Sequence, residues 1–394
     1  MSTESNAKQP IDVHAVPRTE AEAPAAETKP TPRIEKYFDA LAKVNGSDLH
    51  LKPDSPPHVR LNSALRRTQE AKLTSEQIEH MALELMSDKQ RAWYLEHGSI
   101  DMAHELPSGD RFRLNVYRQR GRTAIAVRRV TKDIPAFEDL HLPQTIRKVA
   151  EEHQGLVLLA GPTGCGKSTT IAAMLEHINR TRQCHIVTIE DPIEYIYEDK
   201  KALVSQREIG IDVESFEYGM KYLMREDPDV VLIGELRDKD TFQAALQATE
   251  TGHLVFGTVH ASSAPQTIGR ILDLFSHDVR DSIRQTLAFN FRAIICQKLL
   301  PSVRDDVERV PACEIMLSNP SVRQLIQDKR DNELPDLIRA HERQGMMSFT
   351  RSLLELIESD LVDPNVAYEV APNVDELKML MKGITTSQAG LIGR

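Results

Sequence analysis

Along most of the chain the apolar residues fall into short blocks, and the spacing inside each block names the element it predicts. "IEKYFDALAKV" (34–44) has helical spacing, and "SDLHLKP" and "PPHVRLNS" are short extended pieces about a Pro-rich turn. Ser75 to His97 predicts one helix. "RFRLNVYRQRGRTAIAVRRV" (111–130) reads as a hairpin about Gly121. In its first strand Phe112, Leu114 and Val116 point one way, and Arg111, Arg113, Asn115 and Tyr117 the other. Residues 34–135 are therefore expected to form a small α/β domain with an arginine-lined sheet face.

"TKDIPAFEDLHLPQ" carries two prolines and predicts a connector, with the linker proper at 136–145. Beyond it four apolar runs each end in polar residues: "GLVLLAG" (155–161), "CHIVTIED" (184–191), "DVVLIGE" (229–235) and "HLVFGTVH" (253–260). Helical stretches separate them. Alternating strands and helices imply a parallel sheet covered on both sides, with functional groups gathered at the carboxyl ends of its strands. Residues from about 265 onward read as largely helical, with "SFTRSLLELIES" and "VDELKMLMKG" as amphipathic pieces that pack on the core or bind a partner. The chain shows no internal repeat. Residues 1–33, rich in Pro, Ala, Glu and Thr, predict a disordered tail, either a passive extension or a partner-binding segment. Residues 384–394 predict a flexible end.

Composition narrows the options. At 394 residues there is room for two domains, and a net charge of −10 argues against a general nucleic-acid binder without excluding a local basic patch. The four cysteines contain no C-x-x-C pair, so neither a zinc site nor a disulfide framework is expected and a reducing cytosol fits. No signal peptide is evident, and no apolar run reaches the roughly 20 residues of a membrane helix. Any membrane role is expected to pass through a partner.

The chemistry starts at "GPTGCGKST", which fits G-x-x-x-x-G-K-[ST] from Gly161 to Ser168, after a predicted strand and before a predicted helix. Gly161, Gly164 and Gly166 let backbone N–H groups face phosphates, and the helix N-terminus adds its dipole. Pro162, Thr163, Cys165 and Thr169 complete the loop. Lys167 would reach the β- and γ-phosphates of a nucleoside triphosphate, and Ser168 would hold Mg²⁺ through its hydroxyl. Cys165 reads as a spectator or, alternatively, a redox switch. Glu235, at a strand end 68 residues after Lys167, fits a water-orienting base, which means hydrolysis rather than transfer to a small acceptor. Its strand ends in Gly-Glu where Asp-Glu is usual, so metal contacts are expected through water or from Glu190 and Asp191 on the neighbouring strand.

His253 and His260 bracket the fourth strand. Each is either simply satisfied by its surroundings or placed to sense the γ-phosphate. Seven arginines fall between Arg111 and Arg129. They form a solvated sheet face, supply arginine fingers to a nucleotide, or bind nucleic acid; only Phe112 and Tyr117 interleave them, which is thin for stacking bases.

Together these motifs resemble the type IV pilus retraction ATPases, the PilT/PilU group of secretion-type (GspE-like) ATPases, from about Ile34 to Gly383. "GPTGCGKSTT" is similar to that family's Walker A loop, "IEDPIEY" (189–195) to its aspartate box, "REDPDVVLIGELRD" (225–238) to its atypical Walker B and "TGHLVFGTVH" (251–260) to its histidine box. "SDLHL" followed by "PPHVR" resembles the opening of its N-terminal domain. The resemblance implies an α/β architecture with a PAS-like N-terminal domain (34–135) and a RecA-like P-loop NTPase domain with a helical C-terminal part (146–383). It further implies a homo-hexamer using ATP and Mg²⁺, in which domain rotation drives pilus retraction and twitching motility. Implied partners are a PilC-like platform protein of the inner membrane, on whose cytoplasmic face the ring would act, and a sister retraction ATPase. No direct nucleic-acid partner is implied. Carried onto this chain, Glu235 is the catalytic glutamate, Glu190, Asp191, His253 and His260 complete the site, and Arg113 and Arg128 are the arginines that meet the nucleotide. The family's "AIRxLI"-like segment reads "SVRQLIQD" (321–328) here, and the tail before Ile34 has no counterpart.

Three rivals stay open. A pilus assembly or type II secretion ATPase would usually carry a longer N-terminal region and a four-cysteine insert, whereas Cys296 and Cys313 stand alone. A DNA or RNA translocase is disfavoured by charge and sparse aromatics. A nucleotide-bound regulatory scaffold with little turnover is disfavoured by the full set of catalytic groups.

Overall fold

The computed structural model describes residues 33–61, 64–130 and 133–384. Apart from Arg33 and Ile384, the expected tail and flexible end lie outside these described residues.

The N-terminal part is built from α1 (Glu35–Lys43), β1 (Asp48–Leu51), β2 (His58–Leu61), β3 (Ala64–Arg67), α2 (Ser75–Leu85), α3 (Asp88–His97), β4 (Ser99–Glu105), β5 (Arg111–Gln119) and β6 (Arg122–Val130). Its strands make an antiparallel sheet in the order β3-β2-β1-β6-β5-β4. The β5–β6 turn falls on Arg120 and Gly121, both at positive φ, as a two-residue hairpin requires. Strand alternation then sorts the two faces. Leu49, Leu51, Phe112, Leu114, Val116 and Val127 are buried with Phe38 and Leu41 of α1 and Ile78 of α2. Asp48, His50, Arg113, Asn115 and Arg128 line the opposite face, which looks toward the second sheet. The single helix expected over Ser75 to His97 is in fact two, because Ser87 caps α3 in a reciprocal box with Gln90 and Met86 is extended.

The second part begins with α4 (Gln144–Ala150) and β7 (Gly155–Ala160), followed by α5 (Lys167–Thr181), β8 (His185–Glu190), β9 (Leu203–Glu208), α6 (Phe216–Leu223), β10 (Val230–Ile233), α7 (Lys239–Glu250) and β11 (Leu254–Val259). Then come α8 (Ala264–Asp273), α9 (Arg280–Asn290), β12 (Phe291–Pro301), β13 (Arg309–Leu317), α10 (Pro320–Gln327), α11 (Leu334–Ala340), α12 (Phe349–Glu358), α13 (Pro364–Val370) and α14 (Val374–Met381). The seven strands order as β13-β12-β7-β11-β10-β8-β9, all parallel except β13. Helices cover both faces: α4 and α5 bury Ile146, Ile171, Leu175 and Ile178 on one, and α6 to α9 bury Phe216, Phe242, Ile268 and Leu287 on the other. Leu353 and Leu354 of α12 and Leu377 of α14 join the latter core.

The region after 265 is largely helical as expected, from α8 to α14, but it also holds a long antiparallel pair, β12 and β13, that the apolar spacing did not predict. Beside β7, β12 is buried on both faces over most of its length, so no period-2 alternation marks it.

Candidate functional site

Four of the parallel strands deliver their carboxyl ends to one cleft of about 610 Å³. The loop after β7 contributes Thr163, Gly164, Gly166, Lys167, Ser168 and Thr169; β8 ends in Glu190 and Asp191; Gly234 and Glu235 follow β10; Thr258 and His260 close β11. The neighbours Tyr195, Phe216, Leu299 and Arg309 complete the wall.

The glycine-rich loop bends into the first turn of α5 with Gly161, Gly164 and Gly166 all at positive φ. The Lys167 ammonium donates to the carbonyls of Gly161 (2.8 Å) and Pro162 (3.1 Å). It therefore lies across the mouth of the loop, where a phosphate chain would meet it. Thr169 Oγ1 lies 2.9 Å from the hydroxyl of Tyr195, tying the start of α5 to the segment after β8.

Glu190 is enclosed. Its Oε1 accepts from Thr188 Oγ1 (2.7 Å) and Gln206 Nε2 (3.3 Å), yet burial outweighs both bonds and pushes the carboxyl up to about 7. Glu235, by contrast, is partly exposed, with Nε2 of His260 3.5 Å from its Oε1. The Gly-Glu ending of β10 has a steric reason. A Cβ on Gly234 would stand 3.2 Å from the Glu190 Cα and 3.4 Å from the Ile189 carbonyl, so the two carboxylate-bearing strand ends meet backbone to backbone. Cys165 is buried, which pushes its thiol up and favours the spectator reading over a redox switch.

His253 is a correction. It precedes β11 at the amino edge of the sheet, where its carbonyl accepts from Gly155 N (2.9 Å) and its Nδ1 lies 2.9 Å from the Ala248 carbonyl at the end of α7. It is held at the far edge, away from the cleft.

The arginines divide. Arg128 Nε donates to Asp48 (2.9 Å), and Arg129 pairs with Asp110 (3.0 Å) of the β4–β5 turn, both within the N-terminal part. Arg113 lines a cavity of about 310 Å³ between the two sheets, together with Arg128, Asp191, Pro192 and Glu208. Asp191 and Pro192 also line the first cleft, so that segment borders both spaces. Arg111 crosses between the sheets to Glu208 (3.0 Å), at the end of β9. Burial raises the Glu208 carboxyl, while Arg111 and Arg113 pull it back.

Arg309, Tyr195 and Thr258, all on the cleft wall, and Gln297, on β12 behind the loop, went unrecognised in the sequence. Gln297 left one signal there, a lone amide inside the apolar run "RAIICQKLL".

Against known proteins, residues 35–360 match the family model described as type II/IV secretion system protein. The type IV pilus retraction ATPase PilT of Pseudomonas aeruginosa is 38% identical over 84% of this chain and 95% of its own length. The type IV pilus ATPase PilU of the same organism is 34% identical over 89% of this chain and 91% of its own. The crystal structure of the pilus retraction motor PilT with bound ADP superimposes with a TM-score of 0.81 at 37% identity, covering 88% of this chain and 98% of that one.

Proposed function

The chain belongs to the type II/IV secretion system protein family, in the group of the retraction ATPase PilT, and from that premise we propose that it is an ATP-hydrolysing motor for type IV pilus retraction. The observation that carries the reading is the gathering of Lys167, Glu190, Asp191, Glu235 and His260 around one cleft at the carboxyl edge of a parallel sheet.

In this reading the loop N–H groups and Lys167 hold the triphosphate, with the base directed toward Leu299 and Arg309. Glu235 takes the proton of the attacking water and His260 orients its carboxylate. The donors that face the phosphates are hydroxyl and carboxylate oxygens, the hard ligands that Mg²⁺ prefers. Among the described residues no three His, Cys, Asp or Glu side chains could hold a metal by themselves. Ser168 and Asp191 would therefore share the ion with phosphate oxygens and water, and bound Mg²⁺ would neutralise charge developing on the phosphates. Arg113, reached across the Asp191–Pro192 segment, would supply further positive charge as the two domains (34–135 and 146–383) close on the nucleotide. Arg128, bound to Asp48, would follow it.

Turnover would rotate one domain against the other within a homo-hexamer. Such a ring would act on a PilC-like platform protein at the cytoplasmic face of the inner membrane, beside a PilU-like sister ATPase. Among the described residues no helix is long and apolar enough to cross a membrane.

Steady-state ATP hydrolysis by the purified protein, run beside Glu235→Gln, tests the motor. The wild type should turn over and the variant should bind ATP while losing hydrolysis. A variant that still turned over would remove Glu235 from its role. A wild type inactive even with its platform protein would sink the motor in favour of a regulatory scaffold. Direction is tested in cells, where loss of the protein should leave extended pili that fail to retract.

A further inference from the structure

Gln297 sits in the middle of β12, 2% exposed, directly behind the glycine-rich loop. Its Nε2 donates to the carbonyl of Cys165 (2.8 Å), and its Oε1 accepts from Thr170 Oγ1 (2.9 Å) in the first turn of α5. Only one orientation of the amide satisfies both partners, because a carbonyl cannot donate and the Thr170 hydroxyl is free to turn toward Oε1. The loop also lies flat on this residue. A Cβ on Gly161 would stand 2.6 Å from the backbone carbonyl oxygen of Gln297, and a Cβ on Gly166 would stand 2.7 Å from its side-chain Nε2. At both places glycine is demanded by close approach as well as by positive φ.

A phosphate-binding loop works when its N–H groups point inward together, which requires its carbonyls to be held outward. Cys165 lies inside the loop, and the peptide that follows it leads into Gly166 and Lys167. Fixing the Cys165 carbonyl against β12 therefore fixes the direction of the adjoining N–H. Because β12 is hydrogen-bonded in register to β7, with Cys296 opposite Ala160, the brace is anchored to the strand that feeds the loop. We infer that Gln297 is a positioning residue for nucleotide binding, one amide that locks loop, helix start and sheet into the phosphate-receiving shape. It need touch neither substrate nor metal. The inference deepens the proposed nucleotide site and is independent of whether the motor drives retraction.

The test compares full-length wild type with Gln297→Met, which keeps the side-chain length and loses both bonds, and with Thr170→Val, which loses one. ADP affinity is measured by titration calorimetry, and kcat and KM for ATP by steady-state assay. A loop that has lost its brace should bind ADP about tenfold more weakly in Gln297→Met and about threefold more weakly in Thr170→Val. KM for ATP should rise in parallel while kcat falls by no more than about threefold, the pattern of lost ground-state binding. Gln297→Glu, whose carboxylate opposes the Cys165 carbonyl and adds negative charge beside the phosphates, should bind more weakly than Gln297→Met. Should Gln297→Met fail to fold, Thr170→Val and Gln297→Glu carry the same comparison. Unchanged ADP affinity in folded variants, even with a lowered melting temperature, would overturn the inference and leave Gln297 a packing residue. A wild type that fails to bind ADP would overturn the nucleotide site itself, a result distinct from the first.

Discussion

Nε2 of His260 stands 3.5 Å from Oε1 of Glu235, each on the loop that leaves the carboxyl end of its own strand, β11 and β10. Strands in parallel register bring these loops side by side, so the contact is a product of topology and not of sequence proximity. In the proposed mechanism the imidazole orients the carboxylate that accepts a proton from water. His260→Ala should lower kcat by about 10- to 100-fold, less than the roughly 10²- to 10⁴-fold expected for loss of Glu235 itself, with ADP affinity little altered. Steady-state kinetics and calorimetry on both variants check this, and equal losses would make His260 more than an orienting group.

The Glu190 carboxyl gives a pH signature. Burial raises it from 4.5 to about 7 in the folded protein. Between those values the folded state holds a proton that the unfolded state has released, so stability falls as pH rises through this window. Glu190→Gln should remove that loss, leaving the variant similar to wild type near pH 4.5 and more stable above pH 7, by on the order of 3 kcal/mol. Thermal midpoints of both proteins across pH 5 to 8 would show the divergence, and parallel curves would reject it.

The Arg111–Glu208 bond joins the two sheets through a well-enclosed ion pair, with side-chain exposures of 17% and 6%. Removing Arg111 leaves Glu208 buried beside Arg113 alone. Arg111→Met should destabilise the protein by about 2 kcal/mol, below the roughly 3–5 of a completely buried pair, and should speed proteolysis in the segment between the sheets. Arg111→Met with Glu208→Gln should recover most of that loss, because no uncompensated charge remains. Denaturant unfolding of the single and double variants measures it.

How much could be read beforehand depended on whether a residue's surroundings imposed a period on the sequence. The four strands β7, β8, β10 and β11 were legible because each is a short apolar run ending in polar residues, and those polar ends line the cleft. Strand β12 was not legible, since burial on both faces erases alternation and its Gln297 and Lys298 break the apolar run. Missing β12 also meant missing Gln297. The break between α2 and α3 was written in the sequence as Ser87-x-x-Gln90, a capping box overlooked because the apolar spacing continued across it. Edge strands β3 and β4 gave too weak a pattern to name, β3 being exposed throughout and β4 buried only at Met102. Arg111 was grouped with its neighbours because no local pattern says which arginine of a strand will meet a carboxylate 97 residues away.

His253 and His260 make the sharpest contrast, because one motif holds both and a strand separates them. The six residues of β11 span about 20 Å, which puts the two imidazoles at opposite edges of the sheet. His253 Nδ1 is engaged with the Ala248 carbonyl, one of the last carbonyls of α7 that have no partner within the helix, and with Thr251 Oγ1 at 3.0 Å. The Ala248 carbonyl also accepts from the His253 backbone N–H (3.2 Å) and Thr251 Oγ1 (2.9 Å), so the imidazole adds one contact to a helix end that the backbone already closes. His253→Ala should therefore cost no more than about 1 kcal/mol of stability, since Ala248 keeps its other donors, while kcat and the KM for ATP stay within about twofold of wild type. His260→Ala should do the reverse, sparing stability and slowing hydrolysis. Measured side by side in melting and steady-state assays, the two variants separate the edge that builds the sheet from the edge that uses it. A fall in kcat for His253→Ala comparable with that for His260→Ala would mean that the amino edge takes part in turnover after all.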